Sequence, residues 1–236
     1  MKKLVLGSIL GLAANASFAV PTLQLDIAGG SYDPVTQTVI APDDTFNLYA
    51  LYNTQMGSTM PVGTYYLSAA ITPQTPNASL TTFGSFTVNG TTYSAANMNF
   101  GNPPAAVSEN NDDLQSHGIF DTHYAEIGFT FDLNNTATLY NTQDNPGGLN
   151  INPNGSLIYQ AFAVDLSGLS TGYNVHFDLY KLGLDSEGNI TVTDFAPFSH
   201  DAQGGHGVPD PASTALLLGG ALAALEGFRR RFAKQV

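Results

Sequence analysis

Tyr173-Asn174-Val175-His176-Phe177-Asp178-Leu179-Tyr180-Lys181-Leu182 is the stretch that decides the fold class. Tyr173, Val175, Phe177 and Leu179 fall on one side of an extended chain, and Asn174, His176, Asp178 and Tyr180 fall on the other. That alternation has the period of a β-strand with one packed face and one solvated face. On this reading His176 stands alone on the outward face as ordinary surface.

The same signals, alternation with β-branched and aromatic enrichment, mark strands over 22–28, 37–41, 45–52, 64–72, 80–88, 91–94, 123–133, 157–166 and 189–195. Two turns connect neighbours among them. Asn89-Gly90 is the preferred pair for a type I′ hairpin, because both central residues must accept positive φ. Asp185-Ser186-Glu187-Gly188-Asn189 forms a longer loop before the last strand. No sustained period of 3.6 runs between 20 and 202, so no helices are expected to make parallel crossovers. The expectation is an all-β fold, a single antiparallel β-sandwich with the jelly roll as one arrangement open to it. Loops 97–118 and 141–155, dense in Asn, Pro, Gly and Asp, are long enough to be mobile or functional.

The two ends read differently from this body. Lys2-Lys3, an apolar run from Leu4 to Ala14 and the small residues of Ser17-Phe18-Ala19 form a secretory signal peptide, to be cut by signal peptidase between Ala19 and Val20. At the other end Val208-Pro209-Asp210-Pro211 precedes an apolar stretch that stops at Arg229-Arg230-Arg231. Prolines break the chain before the stretch, and the arginines stop it at the cytoplasmic face. A short helix over 212–228 would therefore associate with the membrane transiently. The expected organisation is a signal peptide at 1–19, a β-sandwich at 20–195, a flexible linker at 196–207 and a hydrophobic sorting helix within 208–236.

Of the seven basic residues only Lys181 lies between 20 and 208, against seventeen of the nineteen acids, so the body carries 1 − 17 = −16. Such a surface repels phosphate backbones, and nucleic acid is excluded as a partner. There is no cysteine, which removes disulfides, thiol nucleophiles and thiolate ligands. The body is long enough to bury one core without covalent staples.

Candidate chemistry is sparse. Gly168-Leu169-Ser170-Thr171-Gly172 has the letters of a nucleophile elbow, but a strand follows where the elbow requires a helix. His117, Asp121 and His123 form one polar cluster, and His200, Asp201 and His206 form another. Imidazole and carboxylate at these spacings would hold Zn²⁺ if the clusters met in space. Asp112-Asp113, Asp144-Asn145 and Asp185-x-Glu187-x-Asn189 offer hard oxygens for Ca²⁺, though the last has Ile190 where an EF-hand needs glycine. No residue is assigned a catalytic role.

The order Val208-Pro209-Asp210-Pro211-Ala212-Ser213-Thr214, apolar stretch, arginines resembles the PEP-CTERM class of sorting signals, near the variant that begins Val-Pro-Asp. The resemblance implies an exosortase-type enzyme as a partner, with the body passed to the envelope and its exopolysaccharide. The body is similar to the choice-of-anchor N group through Leu23-Gln24-Leu25-Asp26-Ile27-Ala28-Gly29-Gly30, Ser116-His117-Gly118-Ile119-Phe120-Asp121-Thr122 and Ala196-Pro197-Phe198-Ser199-His200-Asp201-Ala202. That resemblance implies location and no activity. The sequence thus describes a non-enzymatic structural or adhesive protein of the envelope, outer surface or matrix of a Gram-negative-type bacterium. A metal-dependent hydrolase built on the histidine clusters and a calcium-dependent carbohydrate-binding module are its rivals.

Overall fold

The computed structural model describes residues 19–57, 60–77, 82–107, 114 and 118–205. The signal peptide up to Phe18, the loop residues His117, Asp112 and Asp113, and everything from His206 onward lie outside them, including the sorting segment and its expected helix. Among the described residues no helix is long and apolar enough to cross a membrane.

The strands, in chain order, are β1 (Leu23–Ile27), β2 (Ser31–Asp33), β3 (Thr38–Ile40), β4 (Thr45–Asn53), β5 (Tyr65–Thr72), β6 (Ser85–Val88), β7 (Thr91–Ser94), β8 (Asn99–Gly101), β9 (Thr122–Phe129), β10 (Thr136–Ala137), β11 (Leu157–Asp165), β12 (Asn174–Leu184), β13 (Ile190–Phe195) and β14 (Asp201–Gly205). Every segment expected to be extended overlaps one of them, while β2, β8, β10 and β14 fall outside the expected segments. The smaller sheet runs β1-β4-β11-β6-β7 with β10 beside β11, and the larger runs β2-β3-β14-β12-β5-β9-β8 with β13 beside β12. Asn89 and Gly90 both have positive φ, at 49° and 77°, and close a two-residue hairpin in which Val88 faces Thr91.

The two sheets share one apolar core. Leu23, Leu25 and Ile27 of β1 face it from the smaller sheet, and Leu67, Val175, Phe177 and Leu179 face it from the larger. Aromatic rings meet edge to face between the sheets, Phe46 against Phe177 at 6.3 Å and Phe162 against Phe129 at 5.1 Å. Such pairs add directional packing to the area they bury.

Three features depart from the sequence expectation. The pairing is not wholly antiparallel, because β14 lies parallel to β3. The segment expected as a linker is part of the fold, with a 3-10 turn at Phe198–His200 and β14 hydrogen-bonded on both sides. A strand that arrives from far along the chain is bound by no hairpin, so it can enter between β3 and β12 in either direction.

The third departure concerns the outward faces, parts of which are covered rather than solvated. Gln24 and Asp26 point away from the core on β1 yet are fully buried, because residues 139–149 fold over them. Thr142 N donates to Gln24 Oε1 at 3.1 Å, and Leu139, Tyr140 and Leu149 pack with Leu51 and Leu157. On the larger sheet Phe120 and Ile119 pack against Ala70 and Tyr124. The loop 141–155 with the residues just before it, and the two residues that follow the loop 97–118, thus each contribute a cover.

A buried histidine and carboxylate cluster as candidate site

β12 carries His176 and Asp178 two residues apart, so both side chains leave the same face of the larger sheet. β14 runs antiparallel beside it, with Phe177 opposite Ala202 and His176 opposite Gln203. The next step in that register sets Asp201 across from Asp178. On the other flank Ser68 of β5 lies opposite Asp178, and Glu126 of β9 lies opposite Ser68. The pleat therefore lines up a polar row on a face that is covered.

His176 Nε2 is 3.6 Å from Asp178 Oδ1 and 3.5 Å from Asp201 Oδ2. These separations are longer than the ordinary 2.7–3.2 Å of an N–H···O bond. All three side chains are buried, Asp201 completely. Neither Asp201 oxygen accepts a hydrogen bond among the described residues, and the buried Ser68 hydroxyl also has no partner there. Burial alone would depress the His176 imidazole, but Asp178 and Asp201 together hold it well above its usual range. Asp201 is pushed up, first by burial and then by the neighbouring Asp178 carboxylate, while His176 opposes the shift.

Beside this cluster opens a cleft of about 1220 Å³ whose lining includes Asp33, Asp43, Asp44, Asn174 and Gln203. Asn174 precedes His176 on the same face of β12, and Gln203 pairs with His176 across to β14. The acidic cleft thus reaches the residues next to the buried imidazole.

The sequence-predicted residues are not gathered in one place. Asp201 alone among them belongs to the cluster, which is the one group of three or more potential ligands found among the described residues. His123 faces the core end, with Nδ1 2.7 Å from Thr75 Oγ1 and its ring against Phe83 and Phe100. His200 is buried elsewhere, its Nε2 3.1 Å from Asn141 Oδ1 and its Nδ1 3.0 Å from Ser199 Oγ. Burial pushes His200 down to about 4, with Asp144 opposing. Asp121 is exposed, and His117 and His206 lie outside the described residues. The surface reading of His176 is corrected by the same geometry, since the residue is 3 % exposed.

Two other sequence features are occupied by local structure. Ser170 Oγ donates to Thr82 O at 3.0 Å in a turn between β11 and β12, with the motif acting as a bend. Asp185 Oδ1 accepts from the backbones of Glu187 and Asn189 at 2.8 Å each, so this carboxylate braces its own loop.

His123 supplies a pH prediction. Burial lowers its folded pKa below the ordinary 6.5. As pH falls through 6.5 the unfolded chain takes up a proton that the folded imidazole resists, so stability is lost downward from that point. His123→Gln should therefore lose less stability than the wild type between pH 7 and pH 5 in urea titrations. Equal losses in the two proteins would remove His123 from the account.

Comparison with known proteins gives one match. Residues 207–232 fit the VPDSG-CTERM motif, with Val208, Pro209 and Asp210 supplying its first three letters and Pro211-Ala212 standing where Ser-Gly would be. No curated protein and no solved structure matches the chain, and the likeness of the body to the choice-of-anchor N group gains no support. The tag marks an exported, envelope-associated protein processed by an exosortase-type enzyme.

Proposed function

We propose that the chain delivers an acidic β-sandwich, residues 20–205, to the cell envelope or its exopolysaccharide, where it serves a structural or adhesive role. The observation that carries this reading is the C-terminal tag at 207–232. The fold supports it in two ways. The body has the core and covered outer faces of a domain that withstands the outside of a cell without disulfides, and its one lysine leaves the surface acidic. Among the described residues the histidines are directed into the protein, His123 and His200 toward hydrogen-bonding partners and His176 toward two carboxylates, which suits packing better than turnover.

Mass spectrometry of the protein recovered from the source cells tests it. The expected species begins at Val20 and lacks Arg229-Arg230-Arg231, and it occurs in the envelope or matrix fraction. Replacing Pro209 and Asp210 with Ala should leave the uncut chain in the inner membrane. Recovery of an intact Met1–Val236 chain from the wild type, or of the body from the cytoplasm, would refute the reading.

A further inference from the structure

We propose that His176, Asp178 and Asp201 bind one divalent first-row cation, Zn²⁺ or Mn²⁺, which fastens β14 to β12. The donor set is one imidazole nitrogen and two carboxylates, the borderline-to-hard mixture that such ions take and that Ca²⁺, an all-oxygen binder, does not favour. One ligand atom from each residue lies within 4.8 Å of the others. Ligands around a tetrahedral ion at about 2.0 Å stand roughly 3.3 Å apart. The observed 3.5 and 3.6 Å between Nε2 and the two carboxylates need little adjustment to reach that spacing.

Two carboxylates and a neutral imidazole around a divalent ion sum to zero. Independent of the cluster's composition, the fully buried Asp201 directs a carboxylate at His176 while neither oxygen accepts a hydrogen bond among the described residues. The Ser68 hydroxyl across from Asp178 is in the same condition, ready to donate to a metal-bound carboxylate. Buried polar atoms left this way call for a partner. The cleft lined by Asp33, Asp43 and Asp44 includes Asn174 and Gln203, the neighbours of His176 along β12 and across to β14. The site spans two neighbouring strands, so the ion would act structurally, whatever the body does outside the cell.

The test is metal analysis and thermal unfolding of the purified full chain, stripped with chelator and then given Zn²⁺, Mn²⁺ or Ca²⁺. One equivalent of Zn²⁺ or Mn²⁺ should bind and raise the Tm by about 5 °C or more, with Ca²⁺ having little effect. Asp201→Asn and His176→Gln should each weaken binding by about 100-fold or more and abolish the Tm response. Anomalous scattering from a wild-type crystal should place the ion between His176 Nε2 and the two carboxylates, which decides the matter even if both variants fail to fold. Wild-type protein that binds no equivalent of any of the three ions would overturn the proposal. So would full affinity in Asp201→Asn, or an anomalous peak at the surface.

Discussion

A chain ending at Phe195 will not form the native fold, whereas one ending at Gly205 will unfold in a single sharp transition. The ten residues between those ends hold more than a linker. Ala196 and Ala202 lie in the core, and Ala196 N donates to Leu179 O at 2.8 Å. Among the described residues β14 is the only strand that joins β3 to β12, because β3 pairs otherwise with β2 alone. Its removal therefore costs two ladders at once and leaves Val39, fully buried on β3, facing water. Gln203 O also accepts from Ala41 N at 2.9 Å, so the turn after β3 is released as well. The loss of two ladders, at about 0.5–1.5 kcal/mol per hydrogen bond, together with core area is comparable to the roughly 5–15 kcal/mol by which a domain is ordinarily stable. Thermal melts and amide spectra of 20–195 and 20–205 compare the two directly. Cooperative unfolding of the shorter chain within about 1 kcal/mol of the longer one would show that β14 is dispensable.

Why the sequence hid β14 is visible in its side chains. The strand reads Asp201-Ala202-Gln203-Gly204-Gly205, and its inward positions are Ala202 and Gly204. A Cβ on Gly204 would come within 2.7 Å of Leu166 Cδ1 and Phe46 Cε1, so the core from the opposite sheet fills the space a strand residue normally uses. A strand of small and polar residues has the composition of a linker, and only its neighbours identify it. The longer strands carried their own evidence: β4 and β5 place apolar side chains at every second position, β11 does so but for Gln160 and β12 does so from Val175 to Leu179, and turn chemistry at Asn89-Gly90 set a register that the structure shares.

The candidate site was half legible for a related reason. His176-Phe177-Asp178 places an imidazole and a carboxylate on one strand face, and period two alone reveals that. What period two cannot reveal is a cover, because alternation between apolar and polar residues is also what a solvated face looks like. Asp201 was recognisable as a chemical group, but its neighbour in space is set by the insertion of β14, not by nearness to His200 in the chain. His123 and His200 show the converse. Each is close in sequence to a second polar group, and each uses its ring on a partner from another segment, Thr75 and Asn141.

Asp26→Ala should cost about 4 kcal/mol, while Asp26→Asn should stay within about 1–2 kcal/mol of the wild type at pH 7. Asp26 is fully buried beneath the loop that follows β10, and three donors converge on it. Tyr140 Oη donates to Oδ2 at 2.5 Å, and the amides of Ile27 and Gly147 donate to Oδ1 at 2.9 and 2.8 Å. Alanine leaves all three without an acceptor in a place water does not reach, and a buried donor left unpaired costs about 1–3 kcal/mol. Asparagine keeps one carbonyl oxygen for both amides, and the Tyr140 hydroxyl can turn to accept from the new amide. The charge itself is not what holds the loop. Burial raises the Asp26 pKa above 3.8 in spite of its donors, so ionisation works against the fold as pH rises from 3.8 to the folded value. Asparagine is free of that cost, which offsets part of the weaker acceptor it provides. Urea unfolding of the three proteins, with hydrogen exchange followed at residues 139–148, separates the two contributions. Asparagine as damaging as alanine would mean that the negative charge is the attachment, and an alanine variant within 1 kcal/mol of wild type would mean that the loop is held by Leu139 and Leu149 instead.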